Sequence, residues 1–365
     1  MSKLEELIQE LCPDGVETFP LEECCNILDK KRKPVTKNSR EKGEYPYYGA
    51  NGVQDYVSDY IFNGKFVLVG EDGSVITKSG TPVVTWAEGK IWVNNHAHVI
   101  EEKSGTMLRY LYFYIQTIDV TSLIHGNIPK LTGRDFRSLK IALPPLEIQR
   151  EIVSILDNFT NLTAELTAEL TARKTQYAYY RDNLLTTKPQ WNHVKILDML
   201  SQPITDGPHT TPQFVQNGVP FISVDSIWDG KIHFEKRRGY ITEEFDEECC
   251  KKYKPQKNDV YMVKSGSTTG KVAFVDTDIR FNIWSPLAAM RVNEKNSARF
   301  LFYLLQTERV QKQVKAKSSH GSQPNLGMRE LEQFEVDIPP LDVQNRIVNV
   351  LDNFEKICSD LNIGF

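Results

Sequence analysis

No run of apolar residues in this chain comes near the ~20 needed to cross a membrane. The first residues, Met1 to Glu10, are acidic and amphipathic where a secretion signal would be basic and then apolar. A soluble, cytoplasmic protein with no membrane partner is therefore expected. Cysteine is sparse and unpatterned: Cys24-Cys25 and Cys249-Cys250 are adjacent pairs, while Cys12 and Cys358 stand alone. No Cys-x-x-Cys occurs and no histidine follows at zinc spacing, which leaves reduced cysteines in or near a core rather than a metal site. Neither sign of charge dominates. The 44 Lys and Arg against 48 Asp and Glu give a net charge of −4, so any nucleic-acid binding has to come from a local positive face. His-Glu-x-x-His, Gly-x-Ser-x-Gly and Walker A motifs are missing too. What is present is an ordinary globular composition, 40% hydrophobic and 25% charged over 365 residues, long enough for two or three domains with cores of their own.

The strongest positive signal is an internal repeat. Placing His125 on His320 and reading on without gaps aligns His125-Gly126 with His320-Gly321, and Pro129, Leu131 and Arg134 with Pro324, Leu326 and Arg329. Pro144-Pro145-Leu146 falls on Pro339-Pro340-Leu341. Gln149, Ile152, Val153, Leu156, Asp157, Asn158 and Phe159 then fall on Gln344, Ile347, Val348, Leu351, Asp352, Asn353 and Phe354. The 35 positions from His125 to Phe159 hold 15 identities, where chance would give roughly two. Upstream, Arg109-Tyr110-Leu111-Tyr112-Phe113 matches Arg299-Phe300-Leu301-Phe302-Tyr303, and before that the halves diverge. Two homologous domains with a shared frame and separate variable surfaces account for this.

Each half reads as α+β. In the first, Phe66–Val69 is a strand followed by a turn at Gly70–Gly73. Pro82–Trp86 and Ile91–Val93 suggest a hairpin about Glu88-Gly89, and Met107–Gln116 is helical. In the second, Phe221–Val224, Val260–Val263 and Val272–Val275 are strands, and Ala298–Val314 is helical. Each half ends in Pro-Pro-Leu, and proline is favourable at a helix start. From Leu146 the apolar residues Ile152, Leu156, Phe159, Leu162, Leu166, Leu170, Tyr177, Tyr180 and Leu184 recur in steps of three and four. The stripe predicts a helix of about 40 residues, roughly 60 Å, which should pack as a coiled coil. Within it, Thr163-Ala164-Glu165-Leu166 is followed by Thr167-Ala168-Glu169-Leu170 and Thr171-Ala172. A four-residue unit turns about 400° and nearly keeps the apolar face, the stutter that coiled coils tolerate.

Two variable domains, each followed by a Pro-Pro-Leu-x-x-Gln-x-x-Ile-Val-x-x-Leu-Asp-x-Phe helix, resemble the specificity subunit of type I restriction–modification systems. The Thr-Ala-Glu-Leu repeat with Arg173-Lys174 and Gln176–Asp182 strengthens the likeness, as do Gly70–Ser74 and Asn94–His98. The resemblance implies that residues 1–145 and 188–340 are target recognition domains for the halves of a split double-stranded DNA site. The helices at 146–187 and 341–365 would pair antiparallel and set the distance between them. Two adenine-N6 methyltransferase subunits would dock on that frame and bind S-adenosylmethionine, with restriction subunits joining; this chain would hold no cofactor or metal. The second helix, about 25 residues from Leu341, is shorter than the first and lacks a counterpart of Arg173–Leu185. A second chain or a partner subunit would supply the missing arm, self-association through the short helix being one route.

The densest basic run is Lys30–Lys33 with Lys37 and Arg40, followed by Tyr45, Tyr47, Tyr48 and Asn51. Lys31, Arg32, Lys33, Lys37, Arg40, Tyr47 and Asn51 are the first half's DNA candidates, against the plain alternative of a solvated charge run. In the second half they are His209, Thr210 and Gln213, then Lys236, Arg237 and Arg238, and Lys264, Ser267, Thr268 and Lys271. The stretch Lys264–Lys271 offers amides and lysines to phosphate but is not a P-loop, since Val272 replaces the required Ser/Thr. His125-Gly126-Asn127 and His320–Gln323 are either a shared turn or a shared approach to the DNA backbone. No catalysis is expected. Both Pro-Pro pairs follow aliphatic residues rather than forming the Asn/Asp-Pro-Pro-Tyr of adenine methyltransferases, and Glu71-Asp72 with Lys78 reads better as a turn and a surface lysine than as a nuclease set. A coiled-coil scaffold with two protein-binding heads explains the helices equally well, but not why frame residues repeat while head surfaces diverge.

Overall fold

The computed structural model describes residues 2–319, 321 and 323–360; His320 and Ser322 lie outside them, as does the side chain of Cys358. The chain divides into two compact units, Met1–Leu166 and Thr167–Phe365. In the first, β1 (Asn26–Ile27), β2 (Lys42–Gly49), β3 (Gly52–Val57), β4 (Phe62–Gly70), β5 (Val84–Val93) and β6 (Ala97–Glu101) form one sheet in the order β1-β6-β4-β5-β2-β3. Neighbours are antiparallel except β2 and β5. The alternation of β4 explains its central place. Val67 and Val69 face a core shared with helix α1 (Leu108–Ile115), while Phe66 and Leu68 face a second core with Ile91, Val93 and Val99.

The hairpin expected at Glu88-Gly89 does not form. β5 continues without a break, paired with β4 from Ile91 to Val84. Gly89 takes a φ of +84° opposite Gly64, whose φ is +154°, so the glycine pair bends a paired ribbon and does not reverse it. Gly126, with φ +87°, turns the short hairpin that pairs Ile124-His125 with Lys130-Leu131.

The second unit rebuilds the same sheet in two pieces. β7 (Thr205–Asp206), β8 (Val219–Ile222), β9 (Gly239–Ile241), β10 (Val260–Val263), β11 (Val272–Phe274), β12 (Asn282–Ile283) and β13 (Leu287–Met290) pair as β7-β13-β10-β11 and β9-β8-β12, with β8 parallel to β12. Taken together, β11 and β12 hold the place of β5, and the strand order then repeats that of the first unit. The helix expected over Ala298–Val314 is two helices. The counterpart of α1 spans only Ala298–Leu305, and a second runs Glu308–Lys317, restarted by Thr307, whose hydroxyl accepts from Val310 N–H.

The repeated residues dock each head onto the helix that follows it. These helices are α2 (Leu146–Leu184) and α4 (Leu341–Asp360), with α3 denoting Ala298–Leu305. Gln149 accepts from Met107 N–H and donates to the Gly105 and Pro144 carbonyls. Gln344 accepts from Ser297 N–H and donates to Asn296 Oδ1 and the Pro339 carbonyl. Arg109 pairs with Asp157 at 2.7 Å, and Arg299 with Asp352 at 2.9 Å. Within the second unit, the end of α2 runs antiparallel to α4: Tyr180 stacks on Phe354, and Tyr177 and Leu184 pack on the core that includes Ile347, Val348 and Leu351. Phe159 and Leu162, on the same stripe in the first unit, are exposed. Among the described residues, no helix is long and apolar enough to cross a membrane.

Candidate nucleic-acid interface

Sheet topology gathers the variable loops of each head at one edge. In the first head, the segments after β1 (from Asp29), between β2 and β3 (Ala50-Asn51), between β4 and β5 (Glu71–Val83) and between β5 and β6 (Asn94–His96) all leave the sheet there. They are stitched together: Asn94 N–H donates to the Tyr48 carbonyl, Glu71 N–H to His96, Gly73 N–H to Pro129 and Leu131 N–H to Glu71. The second head uses the same stitches, from Trp284 to Ile222, Lys264 to Pro286, Gly266 to Pro324 and Leu326 to Lys264. Pro129 and Pro324, like Leu131 and Leu326, are aligned partners in the sequence repeat. The frame is shared, and the side chains it presents differ.

In the first head, Lys31, Lys33 and Asn51 are exposed at this edge. Arg32 beside them is turned inward. It bonds Glu71 at 2.6 Å and the carbonyls of Asn95 and Ala97, with its side chain 13% exposed. Tyr47 is buried, and its hydroxyl accepts from Val35 N–H and donates to the Val35 carbonyl. Arg40 lies over the Tyr47 ring and pairs with Asp55. Arg32, Tyr47 and Arg40 thus hold the basic loop down, and Lys37 on the same loop is exposed.

In the second head, His209, Thr210 and Gln213 are exposed in the loop after β7. Lys236–Arg238 precede β9 at the same edge. Arg238 lies over Trp284, which is in edge contact with exposed Phe214; Arg237 lies over Tyr240 and bonds the Phe234 carbonyl. Ser267, Thr268 and Lys271 occupy the β10–β11 turn, where Thr269 is bonded to the Gly266 and Pro324 carbonyls. Lys264 is largely covered and pairs with buried Asp206. Ser223 keeps its hydroxyl buried and, among the described residues, without a hydrogen-bond partner.

Sequence reading missed Phe214, Trp284, Asp206 and the His96–Asp72 pair. The signal for them was the strand register, which places Asn94 and Trp284 on equivalent backbone. Asp29, Glu71 and His98 offer ligand-type atoms within 4.8 Å of one another. Arg32 and Lys130 neutralise Glu71, and His98 Nε2 donates to the Leu131 carbonyl, so the cluster is an ion-pair network closed on itself. An edge of this kind, with exposed lysines, arginine and edge-packed aromatics over a paired sheet, suits phosphate contact and base-edge reading.

The type I restriction modification DNA specificity domain matches the chain twice, over residues 13–173 and 190–364. A Haemophilus influenzae protein described as a type I restriction enzyme specificity subunit is 33% identical over 371 positions, covering 99% of this chain and 92% of the relative. The EcoR124I/EcoR124II specificity subunit of Escherichia coli is 30% identical over 72% of this chain and 67% of its own. The fold is that of the crystal structure of the type I restriction–modification S subunit from M. genitalium, with a TM-score of 0.57 at 14% identity, over 95% of this chain and 93% of that one.

Proposed function

The chain belongs to the type I restriction–modification DNA specificity family, and from that premise we propose that its two heads each read one half of a split double-stranded DNA target. The protein is the DNA specificity subunit of such a system, a non-catalytic component that acts with other subunits on DNA. In the proposed assembly, methyltransferase subunits dock on α2 and α4, bind S-adenosylmethionine and methylate adenine N6. The observation that carries the reading is the pair of loop edges: one backbone frame, used twice, with unlike side chains. Lys31, Lys33 and Asn51 serve the first edge. His209, Thr210, Gln213, Lys236, Arg238 and Lys271 serve the second, with Phe214 and Trp284 as aromatic contacts. Arg32, Arg40, Tyr47, Arg237 and Lys264 set the shape of these loops from beneath.

Methylome sequencing of a host expressing this chain with its methyltransferase partner tests the proposal. Two short fixed sequences separated by a gap of any sequence are expected. A continuous motif, or none, overturns it.

A further inference from the structure

Strand register aligns two aspartates, one half-buried and one buried, that the repeat in the sequence does not. In the first head, Val69 pairs with His98 across β4 and β6, and the β1–β6 pairing of Ile27 with Ile100 carries Asp29 opposite His98. In the second, Met262 pairs with Ala288 across β10 and β13, and Ala288 pairs with Asp206. Arg109 lies over Trp86 and Arg299 over Phe274 at the corresponding place on the next strand, which checks the alignment independently. Asp29 and Asp206 therefore hold one position in the two heads, at the point where the edge strand gives way to the first loop: Lys30–Lys33 in one, Gly207–Gln213 in the other.

Each aspartate ties that loop to the same neighbour, with different chemistry. Asp29 accepts from Val99 N–H at 2.9 Å and lies 2.7 Å from His98 Nδ1. Its carbonyl accepts from Arg32 Nε, and the same guanidinium reaches the Asn95 carbonyl. Asp206, 1% exposed, takes Lys252 at 2.7 Å, Lys264 at 3.2 Å, the Ser285 hydroxyl at 3.2 Å and His209 Nε2 at 3.4 Å. Ser285 N–H donates to the Pro208 carbonyl. Asn95 and Ser285 are equivalent in the register; Asp206 meets Ser285 directly, and Asp29 reaches Asn95 through Arg32, whose guanidinium lies 3.7 Å from the Asp29 carboxylate. Both carboxyls are held below the usual aspartate range. Burial would raise them, and it is outweighed by the bond to His98 in one case and by the two lysines in the other.

We infer that Asp29 and Asp206 are equivalent positioning residues, each fixing the DNA-reading geometry of its own head and therefore governing one half-site alone. The inference rests on the two-head reading proposed above. Neither side chain meets DNA. Each acts through the loop cations and amides it orients, which must sit within a fraction of an ångström of base and phosphate to discriminate.

The test uses the full complex of this chain with its methyltransferase partner and three duplexes: the target found by methylome sequencing, and the same target with either half scrambled. Methylation kcat/KM is measured on each for wild type, Asp29→Asn, Asp206→Asn and Lys252→Ala. Asp206→Asn is expected to cut discrimination against the scrambled second half by about tenfold, the scale of one lost bidentate base contact, and to leave discrimination at the first half unchanged. Asp29→Asn should do the reverse. Lys252→Ala, a half-exposed lysine whose loss leaves Lys264 on Asp206, should weaken the second half only. It decides the matter if Asp206→Asn does not assemble. Equal loss at both halves, or wild-type discrimination in assembled variants, overturns the inference. A wild-type complex indifferent to either scrambled half overturns the two-head reading itself, a separate result.

Discussion

Lys31 and Arg32 are adjacent in the densest basic run of the chain, yet the structure gives them opposite work. Lys31 is exposed, while Arg32 joins Asp29, Glu71 and the carbonyls of Asn95 and Ala97 in a half-buried network. Arg32→Ala leaves the Glu71 carboxylate with Lys130 as its cation and takes a donor from the Asp29, Asn95 and Ala97 carbonyls, which should cost about 3 kcal/mol of stability. A lowered denaturation midpoint for this variant, as the isolated chain, checks this; an unchanged midpoint would return Arg32 to the DNA surface. Lys31→Ala with Lys33→Ala should leave the midpoint alone. It should reduce the slope of log affinity against log salt by about two, measured on a duplex carrying the first half-site. The sequence announced a basic run but not which of its members face outward. An irregular loop has no period from which a face can be deduced, and Glu71, 39 residues away, is what turns Arg32 inward.

Elements were far more legible, because helices and strands carry their faces in their spacing. The Pro-Pro-Leu starts and the three-and-four stripe placed α2 close to its ends, predicted over 146–187 and found at Leu146–Leu184. Two expectations failed for different reasons: pairing with β4 carries β5 on through Glu88-Gly89, and a local cap at Thr307 interrupts the helix expected to reach Val314. The repeated glutamines show why the repeat exists. Gln149 alone satisfies one amide and two carbonyls at the head–helix joint, so Gln149→Ala should cost about 3 kcal/mol in chemical denaturation, and Gln344→Ala a similar amount. A second joint element, the strand Glu335–Ile338, holds Asp337 among Thr187, His193 and Arg309. Burial raises its carboxyl, but these bonds prevail and depress it to about 2. A depressed folded pKa means that its contribution to stability is complete above about pH 4, the unfolded value, and is lost as pH falls toward 2. The acid limb of melting temperature against pH should therefore be shallower in Asp337→Asn than in wild type; parallel limbs would remove Asp337 from the acid response.

At the scale of the molecule, a net charge of −4 is compatible with DNA binding when the contacting cations lie on a local face, as proposed for the two loop edges. The same economy applies to the Thr-Ala-Glu-Leu repeat. Within α2 it forms no part of either head, and its threonines bond back along the helix, Thr163 to Phe159 and Thr171 to Thr167. Such a segment can change length without disturbing what is read. Deleting Thr167–Leu170 removes about 6 Å of helix and rotates the remainder of α2 by about 400°, close to a whole turn, so the apolar stripe stays in phase. Duplex DNA rises about 3.4 Å per base pair along each strand. The deletion should therefore shorten the gap between the half-sites by one or two base pairs, with both half-site sequences intact. Methylome sequencing of the deletion against wild type reads both quantities at once. A changed half-site would show that the repeat takes part in recognition, and an unchanged gap would show that α2 does not set the spacing.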